Sequence, residues 1–141
     1  MQTTFEQDFP KFQAKIAQFR HNTNFETRMA EYVELMNQMM SVSPDDMREY
    51  AERSPKFLDA RNHSLAIMER ILEIHQNLDE IFKMDATALQ RYCEGDLGKI
   101  DQEIAKSVKE SAVLLKQYEQ WSEEGRKALE VLNSPFLSQG L

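Results

Sequence analysis

The sequence predicts an all-α protein, an elongated antiparallel helical bundle with two long helices and three to four shorter ones. Apolar residues recur at alternating steps of three and four along most of the chain, which is the spacing of one helix face. Helix-start signals such as Ser-Pro-Asp-Asp stand between these runs. Gly and Pro number only four each among 141 residues, too few for a turn-rich β architecture.

The first helix is predicted over about residues 10–20, where Phe12, Ile16 and Phe19 share one face. Pro10 sets its start, because proline is tolerated in the first turn of a helix and disrupts later turns. We therefore expect the firm helix to begin near residues 9 to 11. Phe5 is expected to fold back against it as a flanking contact.

Capping signals define the next two helices. Thr23 with Glu26 matches a capping box and predicts a helix over about 25–40. Ser43 followed by Pro44 and two acidic residues is a strong start signal, because the hydroxyl caps the first turn and the acids face the positive helix end. It predicts a short helix over about 45–52.

A long helix is predicted over about 55–84, because Ser54-Pro55 repeats the start signal. Two adjacent apolar stripes follow, and a face that wide must be covered from two sides, as in the central helix of a bundle. Asp85 is expected to cap a short helix over about 86–94.

The last helix is predicted over about 97–133 and carries a coiled-coil-like seam with steps of three and four. Small residues (Ser107, Ser111 and Gly125) occupy seam positions where leucine would be usual, which indicates close approach by a neighbour. That neighbour is either an internal aromatic, such as Phe12 or Phe19, or another polypeptide. The eleven seam residues are Leu97, Ile100, Ile104, Ser107, Ser111, Leu114, Tyr118, Trp121, Gly125, Ala128 and Leu132.

Length and breakers predict one helical-bundle domain over residues 1–134 and a non-helical C-terminal tail over 135–141. The single cysteine, Cys93, permits no internal disulfide, and no secretory signal or long apolar run is apparent, so we expect a cytoplasmic protein without a membrane span. The net charge of −7 makes the chain acidic and argues against nucleic-acid binding.

No residue pattern indicates catalysis, so we expect no enzymatic activity, no cofactor and no metal. His63 and His75 have no second ligand at helical spacing, and Cys93 is expected to be core. Helical ribonuclease toxins pair an Arg-polar dipeptide with a histidine several residues on. Here His63 follows Arg61-Asn62 directly, and Arg61 is expected to reach a carboxylate in the bundle.

Methionine supplies the main functional signal. Thioethers repack around different shapes and are frequent in grooves that bind helices, although a methionine stripe is more often core. Adjacent Met39 and Met40 cannot both face one narrow seam, which favours a groove. The five clustered methionines, the candidate partner-binding residues, are Met29, Met36, Met39, Met40 and Met47.

These features predict a non-catalytic protein-binding module, an adaptor or chaperone-like protein, that holds an amphipathic helix of a protein partner by helix-in-groove recognition. Chaperones of bacterial secretion and flagellar export include small acidic helical proteins, which is an analogy of fold alone. One alternative is a structural homo-oligomer, such as a homodimer, assembled through the 97–132 seam. The other is a small helical enzyme or toxin-like effector.

Overall fold

The computed structural model describes residues 5 to 133, and this range is all-α, with six helices that take up about 90% of it and no strand. The two long helices, α4 and α6, span 28 and 37 residues. The predicted all-α class is confirmed in this range, and two long helices with four shorter ones agree with the expected three to four. The helices are α1 (Phe5–Asn22), α2 (Phe25–Met40), α3 (Pro44–Arg53), α4 (Pro55–Phe82), α5 (Ala86–Tyr92) and α6 (Leu97–Asn133).

The predicted start signals of three helices act as expected. The Ser43 hydroxyl accepts a hydrogen bond from the Asp46 backbone N–H at 3.1 Å and caps α3. The Ser54 hydroxyl accepts from the Phe57 N–H at 3.3 Å, and the Asp85 carboxylate accepts from the Ala88 N–H at 2.8 Å. Each bond satisfies a donor that the first helical turn leaves without an internal partner.

The first helix begins earlier than predicted. α1 includes Phe5, and Pro10 lies inside it. Proline removes the one hydrogen bond that its N–H would have donated to the Glu6 carbonyl. Burial of Phe5 and its stacking on Phe9, with ring centroids 5.7 Å apart, favour continuing the helix through this position.

The expected capping box at Thr23 is wrong. The Thr23 hydroxyl donates to the Phe19 carbonyl at 2.7 Å, so it satisfies the end of α1 rather than the start of α2. Glu26 instead pairs with Arg20 of α1. Asn24 adopts a positive φ of 51° in the turn that separates the two helices.

The chain divides into two compact units. The first unit comprises the described residues up to Tyr32 and the segment Leu72–Ser111. Its core draws on five helices, α1, α2, α4, α5 and α6, so burial of apolar surface holds all five together. The buried members are Phe5, Phe12, Ile16, Phe25, Leu78, Ile81, Leu89, Cys93 and Ile100.

The second unit comprises Val33–Ile71 and the described residues from Ala112 onward. In it, a Cβ built on Gly125 of α6 would lie 3.5 Å from the Ala60 Cβ of α4. His63, further along α4, stacks on Trp121, which precedes Gly125 on α6. The two helices therefore run antiparallel in this unit. Buried residues of α4 here are Ala60, Ser64, Met68 and Ile71.

The α6 seam faces inward, since all eleven of its residues are buried or partly buried. The prediction of an aromatic or a separate polypeptide as the close neighbour is wrong at Gly125, where the neighbour is Ala60 of the same chain. Two small residues allow the backbones of α4 and α6 to approach closely there. The tail predicted over 135–141 lies outside the described residues, and the single domain over 1–134 stays a prediction.

Candidate functional site

The five candidate methionines fall into different units. Met29, on α2, belongs to the first unit and is partly buried against its core. Met36, Met39 and Met40, at the end of α2, and Met47, on α3, belong to the second unit. Packing against a core explains the position of Met29 without a partner, so it contributes least to a binding surface.

In the second unit, α2 presents a partly exposed apolar stripe that we call the α2 stripe: Val33, Met36 and Met40. Their spacing of three and then four residues places them on one helix face. Val33 is 38% exposed and Met40 is 67% exposed, whereas Met36 is partly buried. The stripe therefore combines an anchored middle with two apolar ends in contact with water.

Met39 and Met40 point in different directions, as the helical geometry predicts. Met39 is partly buried and its backbone carbonyl accepts a hydrogen bond from the Arg61 guanidinium. This carbonyl is one of the last four of α2, which have no partner inside the helix. The expectation that Arg61 reaches a carboxylate is wrong, because it caps the end of α2.

A second surface of this unit is the depression that we call the α4–α6 groove, with a volume of about 330 Å³. Its apolar part comes from two small alanines and from Trp121 and Val131 of α6. Its charged part contains two lysines and two carboxylates. The residues of α4 that line it are Lys56, Asp59 and Ala60, and those of α6 are Trp121, Glu124, Lys127, Ala128 and Val131.

Trp121, the single tryptophan of the sequence, is held in place by its neighbours. The imidazole of His63 stacks on the indole with ring centroids 4.0 Å apart and planes 10° from parallel. The His63 Nε2 lies 3.5 Å from the Asp59 Oδ1 one turn earlier on α4. This arrangement leaves the indole partly buried at one end of the α4–α6 groove.

The first unit has a small apolar depression of about 130 Å³, with α1, α4 and α5 contributing its walls. Two polar residues, Gln13 and Arg20, also line it, and Arg20 is paired with Glu26. Apolar residues of the first-unit core, such as Phe12 and Ile81, supply most of the remaining wall.

His75 and Cys93 pack against other side chains of the first unit. His75 is buried in the first unit, where its ring stacks on Phe25 at 5.3 Å and meets Tyr32 edge-on at 5.1 Å. Burial raises the pKa of the Tyr32 phenol. Cys93 is buried in the first-unit core, as predicted. From residue 5 to residue 133, no three His, Cys, Asp or Glu side chains are grouped so as to hold a metal ion.

Comparison with known proteins gives no relative: no family model, no curated protein and no solved structure matches the chain. No helix among the described residues is both long enough and apolar enough to cross a membrane. Function must therefore be inferred from the surfaces.

Sequence reasoning missed the α4–α6 groove. It treated Trp121 as one of many seam residues and did not single out Val131. A signal was present, because Trp121, Glu124, Ala128 and Val131 follow one another at steps of three, four and three, which adds Glu124 and Val131 to two residues of the seam. When the position of α4 is not known, a stripe of this kind cannot be distinguished from a solvent-exposed helix face.

Proposed function

We propose that the chain is a non-catalytic protein-binding module, adaptor or chaperone-like, that holds an amphipathic helix of a protein partner against the α2 stripe. The observation that supports it is the exposure of Val33 and Met40 on either side of Met36. Seven residues separate the two exposed side chains, which is the repeat of an apolar face on a partner helix.

The chemistry of the α2 stripe suits a variable partner. Unbranched thioethers adopt many rotamers and contact ligands of different shape with little strain. Exposed apolar side chains contribute little to the folding of their own chain, yet removing them from water on binding is favourable. The Arg61 bond to the Met39 carbonyl fixes the end of α2, so the stripe stays ordered before the partner arrives.

The test compares two double variants in affinity capture from the native cell. Val33→Ser with Met40→Ser removes both exposed ends of the stripe, whereas the control, Val108→Ser with Val113→Ser, removes two exposed valines of α6. A genuine partner is retained by the unaltered chain and the control, and is lost by the stripe variant.

Thermal melting of both variants accompanies the capture. We expect midpoints within a few degrees of the unaltered chain, since exposed substitutions change stability by only about 0.5 kcal/mol. A stripe variant that melts more than about ten degrees early would mean that these side chains are core, because several kcal/mol are needed for such a shift. Equal capture by all three chains would also refute the proposal.

A further inference from the structure

The charges that line the α4–α6 groove disfavour a partner segment that is strongly acidic or strongly basic. Lys56 and Lys127 face the groove together with Asp59 and Glu124, so the two signs are present in equal number. A strongly acidic or strongly basic segment would meet as many like charges as opposite ones. A surface of mixed charge is instead matched by a surface that places a carboxylate opposite each lysine and a lysine opposite each carboxylate.

The α6 side of the groove has this self-complementary pattern. Trp121 and Val131 lie five residues on either side of Arg126, so a twofold rotation about that position places Trp121 of one copy beside Val131 of the other. The same rotation brings Glu124 of one copy within one residue, about 1.5 Å along the helix axis, of the position that faces Lys127 of the second copy, and this happens twice in one interface. The small Ala128 lies between these contacts and allows two helices to approach.

Exposure favours the same occupant. Val131 is 52% exposed and Trp121 is partly buried, and antiparallel contact between two copies would remove both from water. Most of the 97–132 seam cannot serve this purpose without opening the fold, because its residues face inward; Trp121 and Ala128 are the two seam residues that also line the groove.

We propose that the α4–α6 groove binds a second copy of this chain, forming a homodimer in which two α6 helices cross antiparallel near Arg126. This inference goes beyond the binding of a client helix, since α2 contributes no residue to the groove. Its success or failure leaves the test of the α2 stripe unaffected.

Reversed charges test the register of the dimer. In the Glu124→Lys variant, positions 124 and 127 are both lysine in each copy, so lysines face lysines across the interface. In the Lys127→Glu variant, both positions are glutamate, so carboxylates face carboxylates. We expect each variant alone to dimerise at least about tenfold more weakly than the unaltered chain, because facing like charges are costly at an interface. Mixing the two variants should restore the dimer, because every lysine then faces a carboxylate.

The measurement is analytical sedimentation over a range of protein concentrations. As the concentration rises, the average mass should increase from the 16.5 kDa of one chain toward twice that value. The emission of Trp121, the single tryptophan, should shift to shorter wavelength over the same range. Glu123→Lys is the matched control. Glu123 forms its ion pair with Arg126, three residues along α6, and does not line the groove. Its dimerisation should stay close to that of the unaltered chain.

Three results would overturn the proposal. The chain could stay monomeric at every concentration. It could dimerise with equal strength in the unaltered, Glu124→Lys and Lys127→Glu forms, which would place the interface elsewhere. It could also stay monomeric while removal of residues 134 to 141 changes the Trp121 emission, which would assign the groove to the chain's own end. Circular dichroism of each variant confirms that it is folded, since the exposed Glu124–Lys127 pair contributes little to stability.

Discussion

At the residue scale, Ser64 is the clearest local defect. Its side chain is buried on α4 and its hydroxyl has no hydrogen-bond partner among the described residues. A buried polar group without a partner costs about 1–3 kcal/mol. We expect Ser64→Ala to stabilise the protein by about 1 kcal/mol or more. The substitution removes the unpaired hydroxyl, and alanine also has a higher helix propensity than serine. The thermal midpoint should rise by roughly 2–4 °C.

Ser43→Ala is the matched control, because the same atoms are deleted at a serine that does have a partner. The Ser43 hydroxyl caps α3, so its loss should destabilise the protein by about 1 kcal/mol. The two substitutions should therefore move the melting midpoint in opposite directions. A lower midpoint for Ser64→Ala would show that its hydroxyl is satisfied in solution.

A second residue-scale prediction concerns Tyr92, whose hydroxyl donates to both carboxylate oxygens of Glu103 at 2.8 and 2.9 Å. This hydrogen bond, with smaller effects of burial and of the Glu103 charge, raises the pKa of Tyr92 from 10.0 to about 12. The protonated phenol is the stabilised form. The stabilisation is therefore complete below pH 10 and is lost as the pH rises toward 12.

Phenolate absorbance measured between pH 9 and 11.5 tests this shift. In the unaltered chain Tyr92 should ionise little over most of this range, and Glu103→Gln should move its titration back toward pH 10. Tyr92→Phe identifies the signal, because it should remove the component that Glu103→Gln displaces. Identical curves for the unaltered chain and Glu103→Gln would contradict the bond.

At the scale of elements, the crossing of α4 and α6 sets a prediction at Gly125. A Cβ at this position would lie 3.5 Å from the Ala60 Cβ, an ordinary van der Waals contact. Glycine inside a helix costs about 1 kcal/mol relative to alanine. We expect Gly125→Ala to stabilise the protein by roughly that amount. Circular dichroism melting should show a rise of roughly 2–4 °C.

Ala60→Leu provides the opposite case at the same crossing. Ala60 is almost fully buried, so three added carbons must displace their neighbours, and overpacking costs about 1–3 kcal/mol. A stabilised Ala60→Leu, or a destabilised Gly125→Ala, would mean that the two helices are spaced differently in solution.

The elements also show what sequence can predict. Helix starts at Ser43, Ser54 and Asp85 were predictable because a cap acts within about four residues of chain. Thr23 misled the same reasoning, because its hydroxyl can serve either of two adjacent helices and the choice depends on tertiary packing. The inward seam of α6 was predictable from its periodicity alone.

Contacts that join distant parts of the chain were not predictable. The pairing of Ala60 with Gly125 and of His63 with Trp121 depends on the register between α4 and α6, which no local spacing encodes. The α4–α6 groove depends on the same register. Among the methionines, periodicity identified a shared face, but only the packed neighbours separate the partly buried Met29 from the exposed Met40.

At the scale of the whole molecule, α2, α4 and α6 each contribute residues to both compact units. The unit boundaries fall after Tyr32, Ile71 and Ser111, inside these helices, and no Gly or Pro lies within several residues of them. Separating the units would break three continuous helices in their interiors, and the shorter helical fragments that remain would be less stable, because helix stability increases with length.

We therefore expect the two units to unfold together, and Ile100→Ala tests this. Ile100 is fully buried in the first unit, so the substitution should cost about 2–5 kcal/mol. Far-ultraviolet circular dichroism reports all helices, whereas Trp121 emission reports the second unit alone. Cooperative unfolding requires both midpoints to fall by the same amount, although the substitution lies in the first unit.

The control, Val108→Ala, removes an exposed side chain of α6 in the first unit and should leave both midpoints nearly unchanged. A Trp121 midpoint that stays in place while the dichroism signal falls earlier would mean that helix continuity does not couple the units, and that each folds as a domain of its own.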